Sequence, residues 1–508
     1  MRKLIVLALV ALSTLTLAHR GHCTDIRITN PATGALSGGS TIVTFDVSWK
    51  ASWRNATVIG NWDAAWVFVK FRTTTNGVMG SWKHARLNDT GHSTPSGATL
   101  TTGLVDTSSA FNISSNPVVG VFIYRSEDGR GVFTANNVGL SWNYAQDGVS
   151  STDTVEIQVF GIEMVYIPQG GFFAGDNATS MNAFRQGSAD SDPWWIGSED
   201  AISVTNSAGS GTGVMPEKAL EYYDPIDTEG YILPGAFPKG YQPMYMMKGE
   251  IAQAQWVNFF NTLTDTQKIT RDITDTKGDN LANRNNIDWT SGYATLPVRG
   301  SGAKYEGVAM SFISWADLTA YLDWAGLRPM SELEYEKAAR GPQRAVSGEY
   351  AWGSDSLTQA TSIANAGLPT ERAQSGSNAA YGNHIAVRGP LRVGSFSYGV
   401  STRIASGAGY YGVMELSGNL WERAVTVSNS AGRSFEGRYH GDGALNSSGN
   451  PNVSTWPGTG ALGAGFRGGG WNSMPVAIQL SSRGSAAGAD ADVVRFDDYG
   501  GRGVRLAN

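Results

Sequence analysis

The chain has 508 residues, 41% of them apolar and 16% charged, with a net charge of −6. That length accommodates two or more cores, and so few charges of slightly acidic balance give no basis for binding nucleic acid or an anionic membrane surface. With 64 glycines and 16 tryptophans, the composition suits a loop-rich globular protein with bulky aromatic anchors better than a helical bundle or a disordered chain.

In chain order, Arg2 and Lys3 precede the apolar run Leu4–Leu17, and Thr16 and Ala18 flank a plausible cleavage point. This pattern predicts an export leader over residues 1–18. The mature protein is therefore expected to be secreted, extracellular or held at the cell surface, without a transmembrane segment. The single cysteine, Cys23, rules out a disulfide within the chain. With His19 and His22 it reads as a leader remnant.

Residues 24–160 read as β. Val43, Phe45, Val47 and Trp49 alternate with polar residues, and Val155, Ile157 and Val159 do the same. Ala65–Phe71 and Val118–Tyr124 are short apolar runs bounded by turn formers. Several strands with turn-rich spacers predict a β-sandwich. A second domain is expected over 161–508, giving an α+β chain with few helices and long loops. It opens with the apolar stretch Met164–Gly175, followed by loops over Asp176–Pro243. Helical spacing then recurs in Glu250–Leu263 and Ser314–Ala325. In Ser331–Arg340, Ser331 and Glu334 have capping-box spacing and Gly341-Pro342 stops the helix.

Three motifs carry a resemblance: GVMELSGNLWERA at Gly412–Ala424, FRGGGWNS at Phe466–Ser473 and the closing GVRLAN at Gly503–Asn508. Together with the order of the three helices and YAWG at Tyr350–Gly353, they make residues 161–508 resemble the formylglycine-generating enzymes, or sulfatase-modifying factors. The resemblance implies an irregular C-type-lectin-like fold, whose short-stranded core presents long loops. The N-terminal β region lies outside it.

In that family the oxidases act through a pair of active-site cysteines that bind copper, placed a few residues after the turn matching Gly468–Trp471. Here the corresponding stretch, Asn472–Ser482, offers Ser473, Met474 and Ile478 and no thiol. Paired thiolates are what suit copper(I), so neither copper nor catalytic residues are expected. A related branch, the ergothioneine-pathway sulfoxide synthases, holds iron with histidines. The six histidines of this chain include no HxxxH pair, and His384 and His440 read as ordinary loop residues, so iron is not expected either. Lys304-Tyr305-Glu306 reads as a solvated loop.

The resemblance also implies calcium, bound by a side-chain oxygen of Glu415, the carbonyls of Gly418 and Leu420, and the carboxylate of Glu422. Hard oxygen donors of this kind suit calcium. The bland alternative is that Glu422 caps a turn and Trp421 fills the core. A second calcium position matches only at Asn365. Relatives have exposed ligand-facing residues where this chain has Asp490–Tyr499. Trp471, Asp497, Asp498 and Tyr499 are therefore candidates to bind a sugar or peptide; the other reading has the aspartates solvated and Trp471 in the core, and for Trp471 the core is the favoured one.

The leading expectation is a secreted, non-catalytic surface protein that recognises a protein or glycan partner or packs into an extracellular assembly. The first rival is a sulfatase-modifying oxidoreductase, which needs the missing thiol pair, or a related metal-dependent enzyme. The second is a retroelement-diversified C-type-lectin-like receptor; those often end in Asn-rich variable segments, whereas Gly484–Asn508 is rich in Ala, Asp and Gly.

Overall fold

Alternation decides the first layer of strands. In Thr41–Asn55, the side chains of Val43, Phe45, Val47 and Trp49 are buried while their neighbours stay half-exposed. This strand pairs antiparallel with Arg27–Thr33 on one side and Gly129–Trp142 on the other. Its apolar face packs against Ala65, Val67, Val69 and Phe71 of the strand Asn61–Thr75, and against Val121 and Ile123 of Val118–Arg125. The computed structural model describes residues 26–75, 77–104, 118–177, 180–184, 186, 192–204, 231–397, 402–487 and 494–507. The expected leader and Cys23 fall outside these residues, as do residues 490–493 of the candidate ligand segment.

The strand Asn61–Thr75 is buried without alternation from Asp63 to Phe71. Its second face carries Ala64, Trp66 and Phe68, and these enter a larger core built with residues of the C-terminal region. A strand covered on both faces reads as a continuous apolar run. On its edge lies Thr154–Ile167, paired from Thr74↔Thr154 to Trp62↔Tyr166. That strand continues into pairing with Met244–Met247, which pairs in turn with Gly503–Leu506, and this with Arg328–Pro329. It therefore runs uninterrupted through residues 160 and 161, where the sequence places a domain junction. One sheet extends from the N-terminal region into the C-terminal one.

The three expected helices span Gln253–Asn261, Trp315–Trp324 and Glu332–Arg340. Ser314 and Ser331 cap the second and third, accepting from the N–H groups of Asp317 and Glu334. The first helix begins three residues beyond Glu250. Ile251 is held by backbone bonds to Gly501 and Met310, so the chain is committed to its neighbours before it coils. A further short helix, Asp265–Arg271, is capped by Thr264. Beyond these elements the C-terminal region is short strands and loops. Among the described residues no helix is long and apolar enough to cross a membrane.

Candidate functional site: an acidic turn and the aromatic cleft beside it

Between Glu415 and Glu422 the chain makes a tight turn, with φ of 54° at Glu415, 84° at Gly418 and 70° at Asn419. Glycine is required at 418, because a Cβ there would lie 2.4 Å from the carbonyl oxygen of Ala380. The turn buries both glutamates. Glu415 Oε1 accepts the N–H of Gly394 at 2.8 Å. Glu422 Oε1 receives Arg502 Nε at 2.6 Å and Nη2 of the same guanidinium. Arg502 also donates to the carbonyls of Lys248 at 3.2 Å and Met247 at 3.3 Å. A third buried carboxylate, Glu250, accepts the N–H of Leu420 at 2.9 Å and the side-chain amide of Asn419.

Three buried carboxylates thus surround one guanidinium, an arrangement that needs protons or a further cation to approach neutrality. Burial pushes the Glu415 carboxyl up to about 7. Glu422 is also raised by burial, and Glu250 is held well above its usual range by burial and then by the charge of Glu422. Glu415 Oε2 and Glu422 Oε2 have no hydrogen-bond partner among the described residues. These oxygen-only donors fit a calcium ion. No group of three or more His, Cys, Asp or Glu among the described residues is arranged to hold a metal, so such an ion would depend on the carbonyls of Gly418 and Leu420. Asn365 lies in an exposed turn, where its side chain donates to Thr370.

The strand that leaves the turn, Trp421–Val425, forms one wall of a cleft. It pairs parallel with Tyr499–Gly500 and antiparallel with Ala464–Arg467, which brings Trp421, Phe466 and Tyr499 onto adjacent strands. Phe466 and Tyr499 have ring centroids 4.5 Å apart, and Phe496 meets Tyr499 edge-on at 5.1 Å. Behind them the buried Arg423 guanidinium lies 4.5 Å from Phe466 and 5.1 Å from Tyr499, fixing the rings from the core side. These aromatics, with Asn472, Ser485, Asp497 and Asp498, line a cleft of about 420 Å³. Phe496 is 53% exposed. Among the described residues the lining holds two carboxylates and no basic side chain. Partial burial raises the Asp497 carboxyl above its ordinary value, against a hydrogen bond from the Asn283 amide.

Of the four candidate ligand residues, Asp497, Asp498 and Tyr499 come together in this cleft. Trp471 does not line it. Its side chain is buried among Leu420, Val393 and Phe396, and its indole N–H supports the cleft loop from behind by donating to the Asp497 carbonyl at 3.1 Å. Sequence reasoning missed Trp421 and Phe466 as walls, since only the strand register brings them to Tyr499, and it passed over Phe496 although that residue lies within the candidate segment. In the stretch that would carry thiols, Asn472 reaches the cleft and Ser473 Oγ accepts the Gly470 N–H at 2.9 Å. Ile478 is fully buried and Met474 is exposed. His384 accepts the Ala386 N–H and serves its own loop, whereas His440, expected as an ordinary loop residue, is buried and accepts the Leu506 N–H of the closing strand.

Residues 229–506 match the sulfatase-modifying factor enzyme 1-like domain. No curated protein matches the chain.

Proposed function

Because this chain belongs to the sulfatase-modifying factor family, we propose that it uses the family's scaffold to bind a ligand rather than to oxidise one, as a secreted, non-catalytic surface protein. The leader-like N-terminus supports export. The chain's only cysteine is Cys23, outside the matched segment. The observation that carries the binding reading is the cleft, with four aromatic residues and two aspartates in its lining. Aromatic faces beside carboxylates suit a cationic group. The partner is accordingly a protein segment presenting lysine or arginine, from another surface protein or a second copy of this chain. Calcium belongs to the same proposal. Glu415, Glu422 and the carbonyls of Gly418 and Leu420 would hold it, and it would supply a fixed charge that locks the turn in front of Trp421.

Calorimetric titration of the mature protein with short lysine- or arginine-containing peptides, and with neutral and acidic versions of them, tests the binding reading. Basic peptides should bind, and Asp498→Asn and Phe496→Ala should each weaken them about tenfold, the scale of one lost charged or aromatic contact. Equal binding of all peptides, or none, would remove the proposal. Conversion of a peptide cysteine to an aldehyde by copper-loaded protein would restore the oxidase reading.

A further inference from the structure

The N-terminal and C-terminal regions meet along the shared sheet, and beside that seam lies a second cleft of about 440 Å³, far larger than a packing defect. One wall comes from the β region, with Trp82, Lys83, His84, Arg86 and Asp147. The other comes from the family domain, with Thr264, Trp324, Asp442 and Gly443. Neither region forms the cleft alone.

Its floor is rigid. Lys70 Nζ reaches across the seam and donates to the carbonyls of Trp324 and Gly443, each at 2.7 Å. His84 stacks on Phe68 with centroids 5.6 Å apart and bonds the Val119 carbonyl through Nε2. Burial, then the nearby Lys70 charge, keeps its imidazole neutral. With Nε2–H given to a carbonyl, Nδ1 is a bare acceptor, and it is buried with no hydrogen-bond partner among the described residues. A Cβ at position 443 would lie 2.0 Å from that nitrogen. Glycine at 443 therefore lets that backbone pack directly against the imidazole.

The charges on the walls are largely answered within the walls. Asp147 accepts the Trp142 indole N–H and the Arg86 N–H, and its other oxygen lies 3.5 Å from Arg86 Nε. Asp442 accepts the Ala444 N–H and faces the Lys70 charge. What remains is a mixture of donors and acceptors around a half-buried indole. Arg72 stands against the Trp82 ring at 4.5 Å and is tied to Glu156. One indole face is thereby backed, and the surface Trp82 adds to the cleft is its other face or its edge. A neutral ring that bears hydroxyls on its rim and C–H groups on its face matches this lining, because each hydroxyl both donates and accepts.

We infer that this cleft at the seam is a binding site for a neutral saccharide of one or two rings. Such a site gives the N-terminal β region a role in recognition, separate from the aromatic-acidic cleft. Titration of the full mature chain with cellobiose, maltose, lactose, mannobiose and chitobiose, followed by calorimetry and tryptophan fluorescence, tests it. At least one of these sugars should saturate the protein. Trp82→Ala should weaken that sugar by about tenfold, as expected for loss of an aromatic stacking partner, and Asp442→Asn should also weaken it. Phe496→Ala, in the other cleft, should leave it unchanged. Thermal melts of each variant separate loss of binding from loss of fold. The inference fails if no sugar of the set saturates, if Trp82→Ala and Asp442→Asn both bind as the parent does, or if Phe496→Ala abolishes the signal.

Discussion

The two regions that share the sheet solve the same problem in opposite ways. In the N-terminal region long strands satisfy their own backbone, and the fully buried large side chains are Trp49, Trp66 and Trp142. In the C-terminal region the strands are only two to five residues long, and beside Trp256, Trp315 and Trp352 the largest fully buried side chains are Arg328, Arg340, Arg423, Arg467, Arg502 and Arg505. Loops leave carbonyls without ladder partners, and a buried carbonyl must be satisfied. A guanidinium brings five donors in a fixed fork. Arg467 shows the device: it binds Glu332 at 3.1 Å, Glu336 at 2.6 Å and the Leu480 carbonyl at 2.9 Å. Arg340 ties Glu336 and Glu349 to Ser481, and Arg483 ties Glu332 to Ser428. Regular alternation stabilises one region, and a buried network of alternating charge organises the other.

The largest expected effect comes from breaking that network. Arg467→Met leaves Glu332 and Glu336 short of a partner inside the core, and should cost about 3–5 kcal/mol in chemical denaturation. A loss below about 1 kcal/mol would mean that the arginines are not what holds the loops.

The next effect belongs to the strand-built region and depends on pH. Burial pushes the Asp147 carboxyl from its ordinary 3.8 to about 6. Between those values the folded state binds the proton more readily than the unfolded chain. Asp147 should therefore make stability fall as pH rises from about 4 to about 6, by up to about 3 kcal/mol, and have a flat effect above that. Asn at this position keeps an oxygen for the Trp142 and Arg86 N–H groups. The parent-minus-Asp147→Asn difference curve should show that fall, and a difference that rises with pH would contradict it.

Calcium should sharpen the contrast further by acting on the loop-built region alone. At about a hundredfold excess over its dissociation constant, a bound ion adds about 2.7 kcal/mol, seen as a higher melting temperature than in chelator. Glu422→Gln should abolish that gain. An identical melt with calcium and with chelator would show that Arg502 suffices as the internal cation. Smallest of all is Phe496→Ala, which should change stability by no more than about 0.5 kcal/mol while weakening basic peptides.

Much of the C-terminal region was legible because its signals are local. Ser331 starts a helix where its capping-box spacing places it, Ser314–Ala325 shows helical spacing, and the segment from Glu415 to Glu422 stands out by its match to the family motif. Alternation at Val43, Phe45, Val47 and Trp49 is similarly local. Asp497, Asp498 and Tyr499 stood out as a group because they lie where the resembled family has ligand-facing residues. Trp471 reads in favour of the core even from the sequence, although an indole in a loop can serve a cleft or a core, and it is buried in one cluster with Leu420, Val393 and Phe396.

By itself the sequence determined the strand pattern of the first region, the family of the second and the absence of a thiol after Trp471. Each depends on residue identity at short range. Only the tertiary structure decided what Asn61–Thr75 does with its two faces, and that Thr154–Ile167 carries one sheet through the expected junction. It alone brought Glu250 and Arg502 to the turn that ends at Glu422, across separations of 172 and 80 residues. Pairing at that range depends on strand register and on the charge balance of a buried cluster, and neither is written in any local stretch of the chain.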